Sequence, residues 1–159
     1  MKKLILSALF SVTTLFASNI EVHDAYVRAT PPGLPNSAAF MTVKNTSSED
    51  ISIMSASSKV SKVVELHTHD MKNGVMKMYQ VPKIDVAKHS KTVLKPGGYH
   101  IMLIGLYHPL KVGKTVTLTL KLSNGEKKTI TVPIKTVMGG MKHHGMDHSK
   151  MNHDMKHTH

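Results

Sequence analysis

From residue 19 to residue 133 apolar and polar positions alternate in short runs separated by turn residues, and no stretch holds a helical period. The cleanest run is Thr115 to Leu122 (TVTLTLKL), with an aliphatic side chain at every second position. Ser123-Asn124-Gly125 follows as a hairpin signal, and Lys128 to Val132 is the returning strand. Earlier, Ile20 to Arg28 reads as a first strand, stopped by Thr30-Pro31-Pro32-Gly33 and Pro35. Ala38 to Lys44, Ile51 to Ala56 and Lys62 to His67 come next, then Val75 to Val81 after a loop containing Asn73-Gly74. Thr92 to Leu94 leads into Lys95-Pro96-Gly97-Gly98, and Tyr99 to Leu106 leaves that turn. Many short β-branched strands at regular spacing predict an all-β sandwich or barrel. Greek-key connectivity is expected, although spacing alone does not derive it.

The two ends break this pattern. Residues 1 to 18 carry two lysines, an apolar stretch from Leu4 to about Phe16, and small residues at Ala17 and Ser18. This is the pattern of a cleavable secretory signal, too short and wrongly flanked for a membrane span. No cysteine lies near the cleavage point, so attachment of a lipid there is not expected. The β-rich domain then covers residues 19 to 135. After Lys135 the character changes, and from Val137 onward the chain reads VMGGMKHHGMDHSKMNHDMKHTH. A segment with so little to bury is expected to stay disordered without metal. A purification tag would be a plain histidine run. Here Met138, Met141, Met146, Met151 and Met155 interleave with His143, His144, His148, His153, His157 and His159, which argues for a native metal-binding tail.

Composition narrows the chemistry. The 159 residues include no cysteine, so neither disulfides nor thiolate chemistry is available, and a blue-copper centre is excluded. An exported chain of this length must then be held by its own core. The net charge of +11 allows weak attraction to anionic membrane surfaces or an acidic partner patch. Nucleic acid is not an expected partner for an exported chain with few aromatics and no binding motif.

Alternation also sorts the candidate ligands. Side chains two apart on a strand share a face, so His100 and Met102 project together, with Tyr99, Ile101 and Leu103 opposite. His67 ends the strand VVELH, and Met78 lies in GVMKMYQV. Singly each is an ordinary strand residue. Brought together by strand packing they form a site of two imidazoles and two thioethers. That set has no charged ligand and suits a soft monovalent ion, copper(I) above zinc, calcium or magnesium. His69, Met71 and Met76 are further soft donors nearby, either auxiliary ligands on the way in or out, or incidental. His23, His89 and His108 read as surface residues.

The spacing of the four donors, His67, ten residues, Met78, twenty-one residues, His100-Ile101-Met102, resembles the signature of the PCu(A)C family of periplasmic copper chaperones. The words AYVRATPPGLPNSAAFMTVKN, VELHTHDMKNGVMKM and LKPGGYHIMLIGL are similar too, and the resemblance spans about Glu21 to Val132. It implies a cupredoxin-like Greek-key sandwich holding one copper(I) on His67, Met78, His100 and Met102. It also implies delivery to the copper subunit of cytochrome c oxidase, alongside a Sco-type thiol protein, by a non-enzymatic periplasmic protein expected to be monomeric. The tail has its own logic: histidines hold copper(II) and methionines copper(I), and a flexible tether raises ligand concentration near the folded site. The competing expectation is a copper-sequestration protein with no dedicated client. A redox enzyme fits least, since no acid–base pair or second-metal carboxylate set stands in the sequence.

Overall fold

The alternating stretches become ten strands and no helix among residues 18–136, which the computed structural model describes. Residues 1–17 of the expected export signal and every tail donor from Met138 to His159 lie outside the described residues. The strands are β1 (Ile20–Arg28), β2 (Asn36–Asn45), β3 (Ile51–Ser58), β4 (Ser61–Lys72) and β5 (Val75–Gln80). They continue as β6 (Ile84–Val86), β7 (Lys91–Leu94), β8 (His100–Leu106), β9 (Thr115–Leu122) and β10 (Lys127–Lys135).

Hydrogen bonding runs β5-β4-β8-β2-β1-β10-β9-β3-β6, with β7 also on β2. All ladders are antiparallel except β1 with β10, a short parallel seam of Val27 with Ile134 and Arg28 with Lys135. At that seam the path turns over, so that β10-β9-β3-β6 lies across β5-β4-β8-β2-β1 as a second layer. Non-sequential neighbours such as β4 beside β8 and β3 beside β9 are the crossovers of a Greek-key sandwich. One layer sends Val27, Ala39, Val43, Leu66, Ile101 and Leu103 inward; the other answers with Ile53, Ile84, Val116, Leu118, Leu120 and Val132. Each buried valine, leucine or isoleucine among them contributes on the order of 1.5–3 kcal/mol relative to exposure. Tyr99 does not join Ile101 and Leu103: it lies just before β8 and stays exposed.

Three departures from the sequence reading bear on the site. β4 does not stop at His67 but runs to Lys72, because Asn73 and Gly74 both take the left-handed conformation (φ 53° and 75°) and close a two-residue hairpin. The polar stretch THDMK looked like loop because it has no apolar inner face; past Leu66 it forms a ribbon beyond the core. β6 is only three residues, too short to show a period, yet Ile84 and Val86 are fully buried.

The third concerns Lys95–Tyr99. Leu94 of β7 lies opposite Met41, and Ile101 of β8 opposite Ala39, so β7 and β8 follow each other along the same edge of β2. The intervening residues are looped out of what is otherwise one line. Pro96 and Gly97 (φ 80°) sit at the corners of a turn in which the Gly98 N–H donates to the Lys95 carbonyl at 3.0 Å. The Lys95 N–H donates to the Tyr99 carbonyl at 2.9 Å and shuts the loop. The turn thereby returns His100 to the sheet beside Phe40.

Candidate metal centre

Inward pointing of Leu66, Ile101 and Leu103 obliges their neighbours in sequence to face out from the same sheet. Register then decides which of those outward side chains meet. His67 lies opposite His100, Glu65 opposite Met102, and His69 opposite Met78. All four expected donors, with His69, therefore share one face of the β5-β4-β8-β2 sheet. The His69 and His100 rings are 5.0 Å apart, and those of His67 and His100 5.7 Å.

His100 is the best-defined member. It is 2% exposed although it faces outward, because Phe40, His67, His69 and Met78 stand round it. Its Nδ1 lies 2.9 Å from the Gly98 carbonyl, which can only accept, so Nδ1 carries the hydrogen. That leaves Nε2 as a lone pair, and it points at the Met78 sulfur 3.2 Å away. Two electron-rich atoms aimed at each other make poor neighbours, and a soft cation between them would relieve the arrangement. Burial pushes the His100 pKa below the ordinary imidazole value, and the adjacent His69, His67 and Arg28 push the same way. The Gly98 carbonyl opposes this. The ring is thus kept neutral, the form a metal requires.

His67 is set in the complementary manner. Its Nε2 is 2.8 Å from the Glu65 carboxylate, an acceptor, so the hydrogen sits on Nε2. The freed atom is Nδ1, which is buried without a hydrogen-bond partner among the described residues, as is Nδ1 of His69. Buried polar atoms are rarely left unpaired, and a neutral ring nitrogen with a free lone pair is the form in which imidazole ligates a soft cation. The residues present therefore fit a soft ion. Among the described residues no group of three or more His, Cys, Asp or Glu is disposed to hold a metal, so an ion here would depend on methionine sulfur.

The face opens into a cavity of about 560 Å³ lined by His69, Met78, His100 and Met102, with Phe40, Arg28, Leu34, Pro96 and Gly97 around them. His67 lies behind this lining rather than in it. Met71 and Met76 pair across the hairpin farther out, exposed, on the same face. His23, His89 and His108 are exposed and stand away from the cavity. Three contributors escaped the sequence reading. Glu65 carried a usable signal, since it is two residues before His67 and so on its face. Phe40 and Arg28 carried none, because only the β2–β8 register brings their strands beside His100.

Residues 20–134 match the model of a family described as putative lipoprotein LpqE-like. The chain is 36% identical over 124 residues to the putative lipoprotein Lxx21020 of Leifsonia xyli subsp. xyli (strain CTCB07), covering 77% of this chain and 74% of that one. The chain belongs to the LpqE-like family. Both descriptions are of lipoproteins, a class exported to the cell envelope, and to that extent they agree with the export signal read from residues 1 to 18. The fold is that of PCuAC domains: the copper-bound PCuAC domain from PmoF2 superposes with a TM-score of 0.64 at 20% identity, over 76% of this chain and 97% of that one. The solution structure of CuI-DR1885 from Deinococcus radiodurans matches with a TM-score of 0.59 at 34% identity, over 76% of this chain and 80% of that one.

Proposed function

We propose that this protein is a periplasmic copper chaperone, exported through a cleaved signal at residues 1 to 18, that carries copper(I) as cargo on His67, Met78, His100 and Met102. The observation that carries this reading is the His100 Nε2 lone pair held 3.2 Å from the Met78 sulfur, with Nδ1 locked on the Gly98 carbonyl. The orphaned His67 Nδ1 supports it, as does similarity to proteins whose solved forms are copper-bound. Neutral imidazoles and thioethers balance no charge on a divalent ion and favour the monovalent one. Because Met78 is nearly half exposed, an incoming ligand can displace one donor at a time, which is exchange rather than turnover.

The acceptor we propose is the copper subunit of cytochrome c oxidase, with a Sco-type protein as companion, and the carrier works as a monomer. The tail donors from Met138 to His159 collect copper, as copper(I) or copper(II), and feed the domain. The test is transfer of copper(I) from the loaded protein to an apo oxidase copper domain, with and without residues 138 to 159. Transfer to that domain is expected, and its failure while a chelator still strips the copper overturns the client assignment. A second reading, sequestration without a client, is favoured by the tail, whose eleven donors outnumber the four in the domain. It predicts that deletion causes copper sensitivity with normal oxidase activity, where the chaperone reading predicts an oxidase defect rescued by added copper.

A further inference from the structure

The β4–β5 hairpin presents soft donors as successive cross-strand pairs on one face. Met71 lies opposite Met76 near the tip, His69 opposite Met78 next, and His67 beside His100 at the base. Successive pairs are two residues apart along the strands, a step of about 6.8 Å. Exposure falls along the same line, from 59% and 54% at Met71 and Met76, to 46% at Met78, to 9% at His67 and 2% at His100. The number of imidazoles rises from none to one to two. Between tip and base the hairpin itself puts no charged side chain on this face, because Asp70, Lys72 and Lys77 alternate to the other side, and Arg28 of β1 lines the cavity at its base. The middle pair also contains the unpartnered buried Nδ1 of His69, which the four-ligand site does not use.

We propose that this hairpin is a relay for copper(I). Met71 and Met76 take the ion from solution or from a donor protein, His69 and Met78 receive it, and His67, His100 and Met102 then join Met78 to hold it. The inference rests on the core ligand set given above and adds a route to it. Each hop exchanges one neutral donor for another; copper stays monovalent, and neither electron nor proton moves. Two thioethers alone bind weakly, so the tip releases readily, and each added imidazole holds the ion more firmly. The route runs downhill inward and divides one large dissociation barrier into short steps. An acceptor that engages the tip can draw copper back along it.

The test uses the full chain and the double variant M71L/M76L, which keeps apolar bulk and removes both sulfurs. Equilibrium competition with bicinchoninate should give copper(I) affinities within about twofold of each other, while stopped-flow transfer to the same chelator slows about tenfold or more in the variant. Silver(I), a diamagnetic monovalent stand-in, should shift the Met78 and Met102 methyl resonances at the first equivalent, and those of Met71 and Met76 beyond it. Equal transfer rates with unmoved Met71 and Met76 methyls would overturn the relay and leave an exposed apolar edge strand. Equilibrium affinity falling in step with rate would also overturn it, by making the two methionines part of the final site. Silent Met78 and Met102 methyls at the first equivalent would instead overturn the core ligand set.

Discussion

Two hairpins of this protein obey the same alternation and do different work. In β9–β10 the inward positions Val116, Leu118, Leu120 and Leu122 are buried, and the outward ones are threonine and lysine, with Thr119 and Thr129 sharing a hydrogen bond at 3.0 Å. In β4–β5 the inward contribution shrinks to Leu66 and the half-buried Val64, while the outward face holds Glu65, His67, His69, Met71, Met76 and Met78. The first hairpin is mostly core with a solvated back. The second is anchored at its base and projects past the core, where side chains need satisfy only one another. A period of two lets one strand stabilise on one side and bind on the other, so the two functions separate by face.

The largest effect expected from that separation is on β9. Leu118→Ala should destabilise the domain by about 2–5 kcal/mol in urea unfolding, through lost burial and a residual cavity. Copper(I) bound per folded chain should not change; a loss of stoichiometry would show that the faces are coupled. The mirror experiment is His100→Ala, which should weaken copper(I) about a hundredfold or more, about 2.7 kcal/mol, by chelator competition. Unchanged affinity there would remove His100 from the site. Glu65→Ala comes next: without the carboxylate that holds His67 in its tautomer, affinity should fall about 10–100-fold. Glu65→Gln, which keeps an acceptor oxygen, should recover most of it, and equal losses in both variants would reduce Glu65 to packing.

A pH series sharpens the comparison further. The folded-state pKa of His100 lies below its unfolded value, because burial penalises the charged ring. The unfolded chain therefore takes up the proton first. The stability tied to neutral His100 is full above the ordinary imidazole value and is lost as pH falls through the lower folded value. Urea unfolding of the copper-free protein at pH 7 and at pH 5 should show less stability at pH 5, and the part due to His100 should vanish in His100→Gln. Copper(I) held on His100 should likewise resist acid to a lower pH than an ordinary imidazole permits. The smallest effect is expected on the outer face of β9, where Lys121→Ser should change stability by less than about 0.5 kcal/mol and leave copper binding alone.

What the sequence determined by itself was the content of each face. Alternation identified nine of the ten strands and put Ile101 and Leu103 on the face opposite His100 and Met102; the turn residues Ser123-Asn124-Gly125 marked the β9–β10 hairpin. These are local properties, fixed by side-chain period and by glycine's tolerance of positive φ. Strand contacts are not local. The three-residue β6, the length of β4 beyond His67 and the course of β7 into β8 along one edge of β2 each depend on pairing with distant chain. Pairing register turned His67 and His100 into neighbours, set His69 against Met78 and Met71 against Met76, and brought Phe40 up beside the ligand strand. A shift of one residue in either β4 ladder would leave every strand apolar on one side and polar on the other, and would scatter the donors to opposite faces. Composition can stock a face with ligands, but only the ladder decides which of them meet.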